Sequence, residues 1–236
     1  MTSNAPTSRQ GLCSDERHPH FPANSLTQPP PLSTTTASHR NPGERILLVS
    51  AEMFDANGYA GAGINEMLDS SGLSKGALYF HFESKEAIAQ ALIDQWRTFV
   101  DDLRHEVNST ETSALAQIVM LFREHAEAVS EDLRLRAELK LSVEQGITGS
   151  GGAYREWVDM VEALVATAID RGELHDNDAA QRFSEASCTT FLGTITAPPL
   201  MNTSPSITVA IDDMLTGWLI GVLSAEDPQR ALTATG

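Results

Sequence analysis

At 236 residues the chain has room for one large helical domain or a small domain fused to a larger one, and its two cysteines, Cys13 in a Pro/Ser/Thr-rich stretch and Cys188 in an apolar-periodic one, give no sign of a disulfide framework or a cysteine metal site. The net charge of −16 counts against indiscriminate nucleic-acid binding, because neutralising phosphates takes a basic surface; only a localised DNA-reading face is left open. No apolar run approaches the roughly 20 residues that cross a bilayer, and Met1 to Pro6 lack the basic-then-apolar order of a signal peptide, so a soluble, cytoplasmic protein without membrane contact is expected.

Residues 1–41 are rich in Pro, Ser and Thr, show no apolar period and read as a disordered tail. Helical spacing starts at Pro42-Gly43-Glu44 and runs through Ile46, Leu47, Val49, Met53 and Phe54 to a stop at Asn57-Gly58. A short helix over about Ile64 to Ser70, the turn Ser71-Gly72-Leu73 and a further short helix from Ser74 have the geometry of a helix-turn-helix. Ser84 is then expected to cap a longer connector helix through Ile88, Leu92, Gln95, Trp96 and Phe99 towards Leu103. Further helices are expected at about 114–129, 132–144, 154–171, 178–195 and 207–223, separated by Gly-, Ser- or Pro-bearing breaks. No strand and no repeat is visible, and the chain reads as all-α.

The most informative run is Leu73-Ser74-Lys75-Gly76-Ala77-Leu78-Tyr79-Phe80-His81-Phe82-Glu83-Ser84-Lys85. It resembles the recognition helix of the tetracycline-repressor (TetR) family, and Arg45 to Gly58 resembles that family's first helix, so the likeness runs from Arg45 to about Trp96. The resemblance implies a three-helix DNA-binding domain over 42–84, a ligand-binding and dimerisation domain over 85–225 and a short tail over 226–236. It also places Arg45 and Ser74 among the DNA-contacting residues. The chemistry of the run agrees: small Gly76 and Ala77 let the backbone approach the major-groove floor, and Lys75 can reach a guanine edge or a phosphate. Tyr79 and His81 carry polar tips suited to phosphate oxygens, and Lys85 adds a cation at a helix N-terminus. Leu78, Phe80 and Phe82 are expected to be core. One departure is Gly63, where the family usually has a Ser or Thr; a glycine caps almost as well but loses the hydroxyl contact, so weaker DNA affinity is expected.

A second resemblance narrows the rear half. Leu135-Arg136-Ala137-Glu138-Leu139-Lys140-Leu141, followed by Tyr154-Arg155-Glu156-Trp157, is similar to the γ-butyrolactone receptors of actinobacteria, in which the Trp lies against the lactone. Trp157 is accordingly a ligand-binding candidate, with ordinary core as the alternative; a buried indole N–H needs a partner, and a ligand oxygen would serve. Trp96 stands where the resemblance implies a polar Gln; it either reshapes the pocket or packs between domains. Thr190 and Thr194 share a helical face and are candidates to line the cavity, or to bond their own helix. Ile211, Met214, Leu215, Trp218, Leu219 and Val222 form a stripe that, with the Phe183 to Ile195 helix, is expected to build a homodimer interface, because a palindromic operator takes two recognition helices.

No catalytic motif, phosphate loop or metal-ligand spacing is present, so no enzyme activity, cofactor or metal is expected. The expected function is a repressor that binds operator DNA and leaves it on binding a small hydrophobic, γ-butyrolactone-like signal. The alternatives are a regulator sensing an antibiotic or precursor, and a helical binding module with weakened DNA contact.

Overall fold

The computed structural model describes residues 41–197 and 206–223, and the expected tails, apart from Asn41, lie outside them. Among the described residues the chain is helical throughout: α1 (Pro42–Gly61), α2 (Ile64–Ser71), α3 (Lys75–His81), α4 (Lys85–Asn108), α5 (Ala114–Glu131), α6 (Leu133–Leu141), α7 (Ser150–Asp170), α8 (Asp178–Thr196) and α9 (Ile207–Leu223). Short polar side chains start most of them. Asn41 Oδ1 accepts from Gly43 N at 3.1 Å ahead of Pro42, and Ser74, Ser84 and Ser113 each accept from the amide three residues on. A carboxylate distant in sequence completes the cap of α5: Glu173 accepts from Ala114 N and Leu115 N at 3.2 and 2.8 Å. This pins the α7–α8 connection to the start of α5 and sets negative charge at the positive end of the helix.

Three boundaries differ from expectation. Helical geometry breaks at Gly58 (φ 69°, ψ 173°) as the sequence suggests, but one more turn follows to Gly61. The next helix to differ is α6, which ends at Leu141, where Ser142 N bonds back to Glu138 O and Leu139 O. Finally, α7 starts at Ser150 and not at Tyr154: Gly149, at φ 80°, stands at its N-terminus and leaves Gly151 and Gly152 to enter the first turn.

One apolar core runs through the described residues. At the front, Ile46 and Phe54 of α1 meet Met67 of α2, Leu78 of α3 and Ile88 of α4. Behind, the second half of α4 joins α5, α7 and α8 through Trp96, Val100, Phe122, Trp157 and Phe191. Within α9, Ile211, Met214 and Leu215 are buried against this same core, so part of the stripe expected to face a second copy is intrachain packing.

Candidate functional site

The front face is built by α2 and α3 around the left-handed Gly72 (φ 63°), whose amide closes α2 onto Leu68 O and Asp69 O. Ser74 caps α3 and is spent on Ala77 N at 3.1 Å. Outside its own helix backbone, the nearest described atom to where a Cβ on Gly76 would stand is Ser74 Oγ at 3.9 Å, so the outer surface at this point is bare backbone. Lys75, Tyr79 and His81 are exposed, with the Lys75 ammonium 5.9 Å from the Tyr79 ring centre. Arg45 is half-buried, its guanidinium close to Gly72 and therefore beside the turn of the motif. A Cβ on Gly63 would meet the Glu66 carboxylate at 3.3 Å, so an acid curls over the N-terminus of α2, where a phosphate would otherwise find free amides.

Two front-face residues stand elsewhere than the sequence suggests. Phe80, expected in the core with Leu78 and Phe82, is 84 % exposed, while Leu78 is fully buried and Phe82 half-buried. Positions 78 and 82 share one face of α3, whereas position 80 is turned about 200° from Leu78, onto the outward side. Lys85, expected to hold a phosphate, turns inward: its ammonium donates to Tyr59 O at 2.8 Å and Ala62 O at 3.1 Å and lies 4.4 Å from the Tyr59 ring centre. The break at Gly58 frees carbonyls at the end of α1, and Lys85 satisfies them.

In the rear half Trp157 is fully buried, ringed by Trp96 (6.2 Å between centroids), Phe122 (5.8 Å), His125 (5.1 Å), Tyr154 (5.7 Å) and Phe191 (5.1 Å). Trp96, also fully buried, donates its indole N–H to His125 Nε2 at 3.4 Å. Among the described residues, the Trp157 indole N–H and His125 Nδ1 are buried without a hydrogen-bond partner. Burial pushes the His125 imidazole down to about 3, so it is neutral at physiological pH. Burial pushes the Tyr154 phenol up to about 12 against a weaker pull from Thr189, and keeps the Cys188 thiol protonated.

The structure does not bring Thr190 and Thr194 to this cluster. Thr190 is exposed and donates to Ala186 O at 2.8 Å; Thr194, half-buried, donates to Phe191 O at 2.6 Å. Phe191 and Cys188 occupy the inward face of α8 instead. His125 went unnoticed in the sequence, although its place among Ile118, Leu121, Phe122, Ala126 and Val129 puts an imidazole on the apolar side of α5.

The two halves are joined by charge as well as by α4. Asp55 of α1 accepts from Arg136 Nε and Nη2 at 3.2 and 3.1 Å and from Lys140 Nζ at 2.8 Å, and Lys140 also donates to the Asp55 backbone carbonyl. Burial raises the Asp55 carboxyl, but Arg136 and Lys140 outweigh it and hold the group below its ordinary value. Arg134 reaches Glu44 of α1 at 3.0 Å, Glu138 of its own helix at 3.1 Å and Gln95 of α4. Burial pushes Glu138 up to about 8 against the opposing pull of Arg134.

The described residues combine a helix-turn-helix, whose second helix is largely exposed, with a larger helical body that has an aromatic core. Residues 46–92 match the family described as bacterial regulatory proteins, tetR family. The match runs from α1 into the first half of α4 and covers the helix-turn-helix. The chain is 35 % identical over 129 residues to the A-factor receptor protein of Streptomyces griseus, a match covering 55 % of this chain and 45 % of that one, so it spans less than half of that relative's length. It is 28 % identical over 134 residues to the HTH-type transcriptional regulator LmrA of Bacillus subtilis, covering 53 % of this chain and 71 % of the relative. Among solved structures, a γ-butyrolactone receptor (ArpA-like protein) superposes with a TM-score of 0.68 at 21 % identity, over 77 % of this chain and 88 % of the other. TylP, a TetR regulator from Streptomyces fradiae, superposes with a TM-score of 0.57 at 25 % identity, over 77 % and 86 %. These proteins are regulators and receptors, not enzymes.

Proposed function

We propose that the protein is a cytoplasmic repressor that binds a pseudo-palindromic operator as a homodimer through α2 and α3 and is released by a γ-butyrolactone-type signal received in the aromatic core. The observation that carries the reading is the Trp157 indole N–H, fully enclosed and unpaired among aromatic rings. Leaving such a donor unpaired costs about 1–3 kcal/mol, which a ligand oxygen recovers. At the front, Lys75 with Gly76 and Ala77 serves the groove, Tyr79 and His81 serve phosphates, and Phe80 joins them on the outward face of α3. Arg45 and Ser74 act beside them by setting the turn and the helix start. For dimerisation, the half-buried Trp218 and Leu219 of α9 and the exposed side of α8 with Thr190 form the contact, leaving Ile211, Met214 and Leu215 to the protomer.

The test is selection of bound sequences from random DNA with the full chain, with and without a γ-lactone. A two-half-site motif, enriched without the lactone and depleted with it, is the expected result. An enriched motif that no lactone affects would remove the signal from this reading, and no motif at all would remove the repressor.

A further inference from the structure

We infer that His125 is a specificity-determining residue of the ligand site, standing beside Trp157 as a second neutral donor that accepts carbonyl ligands and rejects carboxylates. The inference rests on the proposed reading of Trp157 as the ligand contact and adds the chemistry of what is bound.

The argument begins with Trp96. An indole nitrogen only donates, so the 3.4 Å contact from Trp96 makes His125 Nε2 an acceptor. A neutral imidazole whose Nε2 accepts must carry its hydrogen on Nδ1. That Nδ1–H is buried and unpaired, as is the Trp157 N–H, and the two rings are 5.1 Å apart at 79°. Phe99, Phe122 and Phe191 close in on the pair, with centroids 5.3 Å from His125, 5.8 Å from Trp157 and 4.7 Å from His125 respectively. Two unpaired N–H groups therefore lie on neighbouring rings of one apolar cluster, and the rings around them carry no charge. Trp96 acts as the positioning residue: its indole hydrogen bond fixes which imidazole nitrogen donates.

Such a pair selects by what it lacks. A carbonyl with a neighbouring ether or hydroxyl oxygen, as in a lactone or an ester, offers acceptors to both donors and loses little in leaving water. A carboxylate of the same skeleton also accepts, but it must enter a low-dielectric core with no cation among these rings, at a cost of several kcal/mol. Protonating His125 to make a cation is opposed by the same burial.

The experiment follows tryptophan fluorescence of the full chain at pH 7.5, titrated with γ-decalactone or with its ring-opened salt, 4-hydroxydecanoate. The wild type is expected to bind the lactone at least about 10-fold tighter than the anion. His125→Phe should weaken the lactone about 10-fold, the equivalent of one hydrogen bond, and His125→Asn, whose amide nitrogen stands near the place of Nδ1, should stay within about threefold of wild type. If His125→Phe does not fold, the ¹⁵N signals of His125 in the wild type decide the matter: Nδ1 protonated in the free protein, and its resonance moved by the lactone but not by the anion. Unchanged lactone affinity in a folded His125→Phe, a preference for the anion, or a proton on Nε2 would overturn the inference while leaving the lactone at Trp157. Failure of the wild type to bind either compound would overturn both readings.

Discussion

Asp55→Asn cuts the joint between α1 and α6 while leaving the side-chain volume unchanged. The Asp55 side chain is 14 % exposed, and its cations Arg136 and Lys140 are 25 % and 22 % exposed, so the pair sits between the surface and buried limits. Surface pairs contribute about 0–1 kcal/mol, and breaking a buried one costs about 3–5 kcal/mol. Asparagine still accepts one hydrogen bond but leaves two partly buried cations without a countercharge, which places the loss at roughly 2–3 kcal/mol. For a chain of this size that is a fall of about 4–12 °C in Tm. Calorimetry or urea unfolding measures it, with Glu156→Gln as the control, because Glu156 pairs with Arg97 in a largely exposed contact at 3.1 Å. The pH dependence has a definite sign. A carboxyl held below its ordinary value stabilises the fold above the unfolded pKa near 3.8, so the gap between wild type and variant should be constant from pH 5 to 8 and close as pH falls through the lowered value. An Asp55→Asn protein no less stable than Glu156→Gln would refute the reasoning.

Glu138 and His125 should give opposite pH signatures. Glu138 holds its proton up to about 8, so it withdraws stability as pH rises from 4.5 towards 8, and Glu138→Gln should flatten that decline in Tm. His125 is neutral down to about 3, so acid withdraws stability as pH falls below 6.5, and His125→Phe should unfold less steeply between pH 6.5 and 5 than wild type. Lys85→Met should cost roughly 2–3 kcal/mol in unfolding experiments, because two carbonyls at the end of α1 lose a charged donor, while the salt dependence of operator binding keeps its slope. Phe80→Ala should leave Tm nearly unchanged and weaken operator binding roughly 10-fold in fluorescence anisotropy, since the residue is 84 % exposed and its ring packs edge-on against the exposed His81.

The parts of the fold written in local chemistry were readable from the residues. Ser84 starts its helix because a short polar side chain caps the amides after it, and Gly58 breaks α1 and Gly72 ends α2 because a positive φ is costly for other residues; Asn41, which reads as part of the tail, caps α1. The family resemblance supplied Trp157. What escaped depends on partners far along the chain. Lys85 looks like a free cation until the carbonyls of Tyr59 and Ala62 come round to it, and His125 looks like an isolated imidazole until Trp96 arrives from α4 and Trp157 from α7. Phe80 is a different case, because its hydrophobicity outweighed its position. Helical phase alone separates it from Leu78 and Phe82.

In the proposed operator complex the outward ring of Phe80 should give association a calorimetric signature. In the proposed interface Lys75, Tyr79 and His81 would act through charge and hydrogen bonds, and the charged part of that contribution shrinks as salt rises. A phenyl ring leaving water does not compete with salt. Covering about 150 Å² of it at roughly 0.45 cal/K/mol/Å² removes about 70 cal/mol/K of heat capacity per subunit. With 84 % of Phe80 in water beforehand, nearly all of that change is available to binding. Heat measured at several temperatures for the wild type and for Phe80→Ala therefore separates the ring from its charged neighbours.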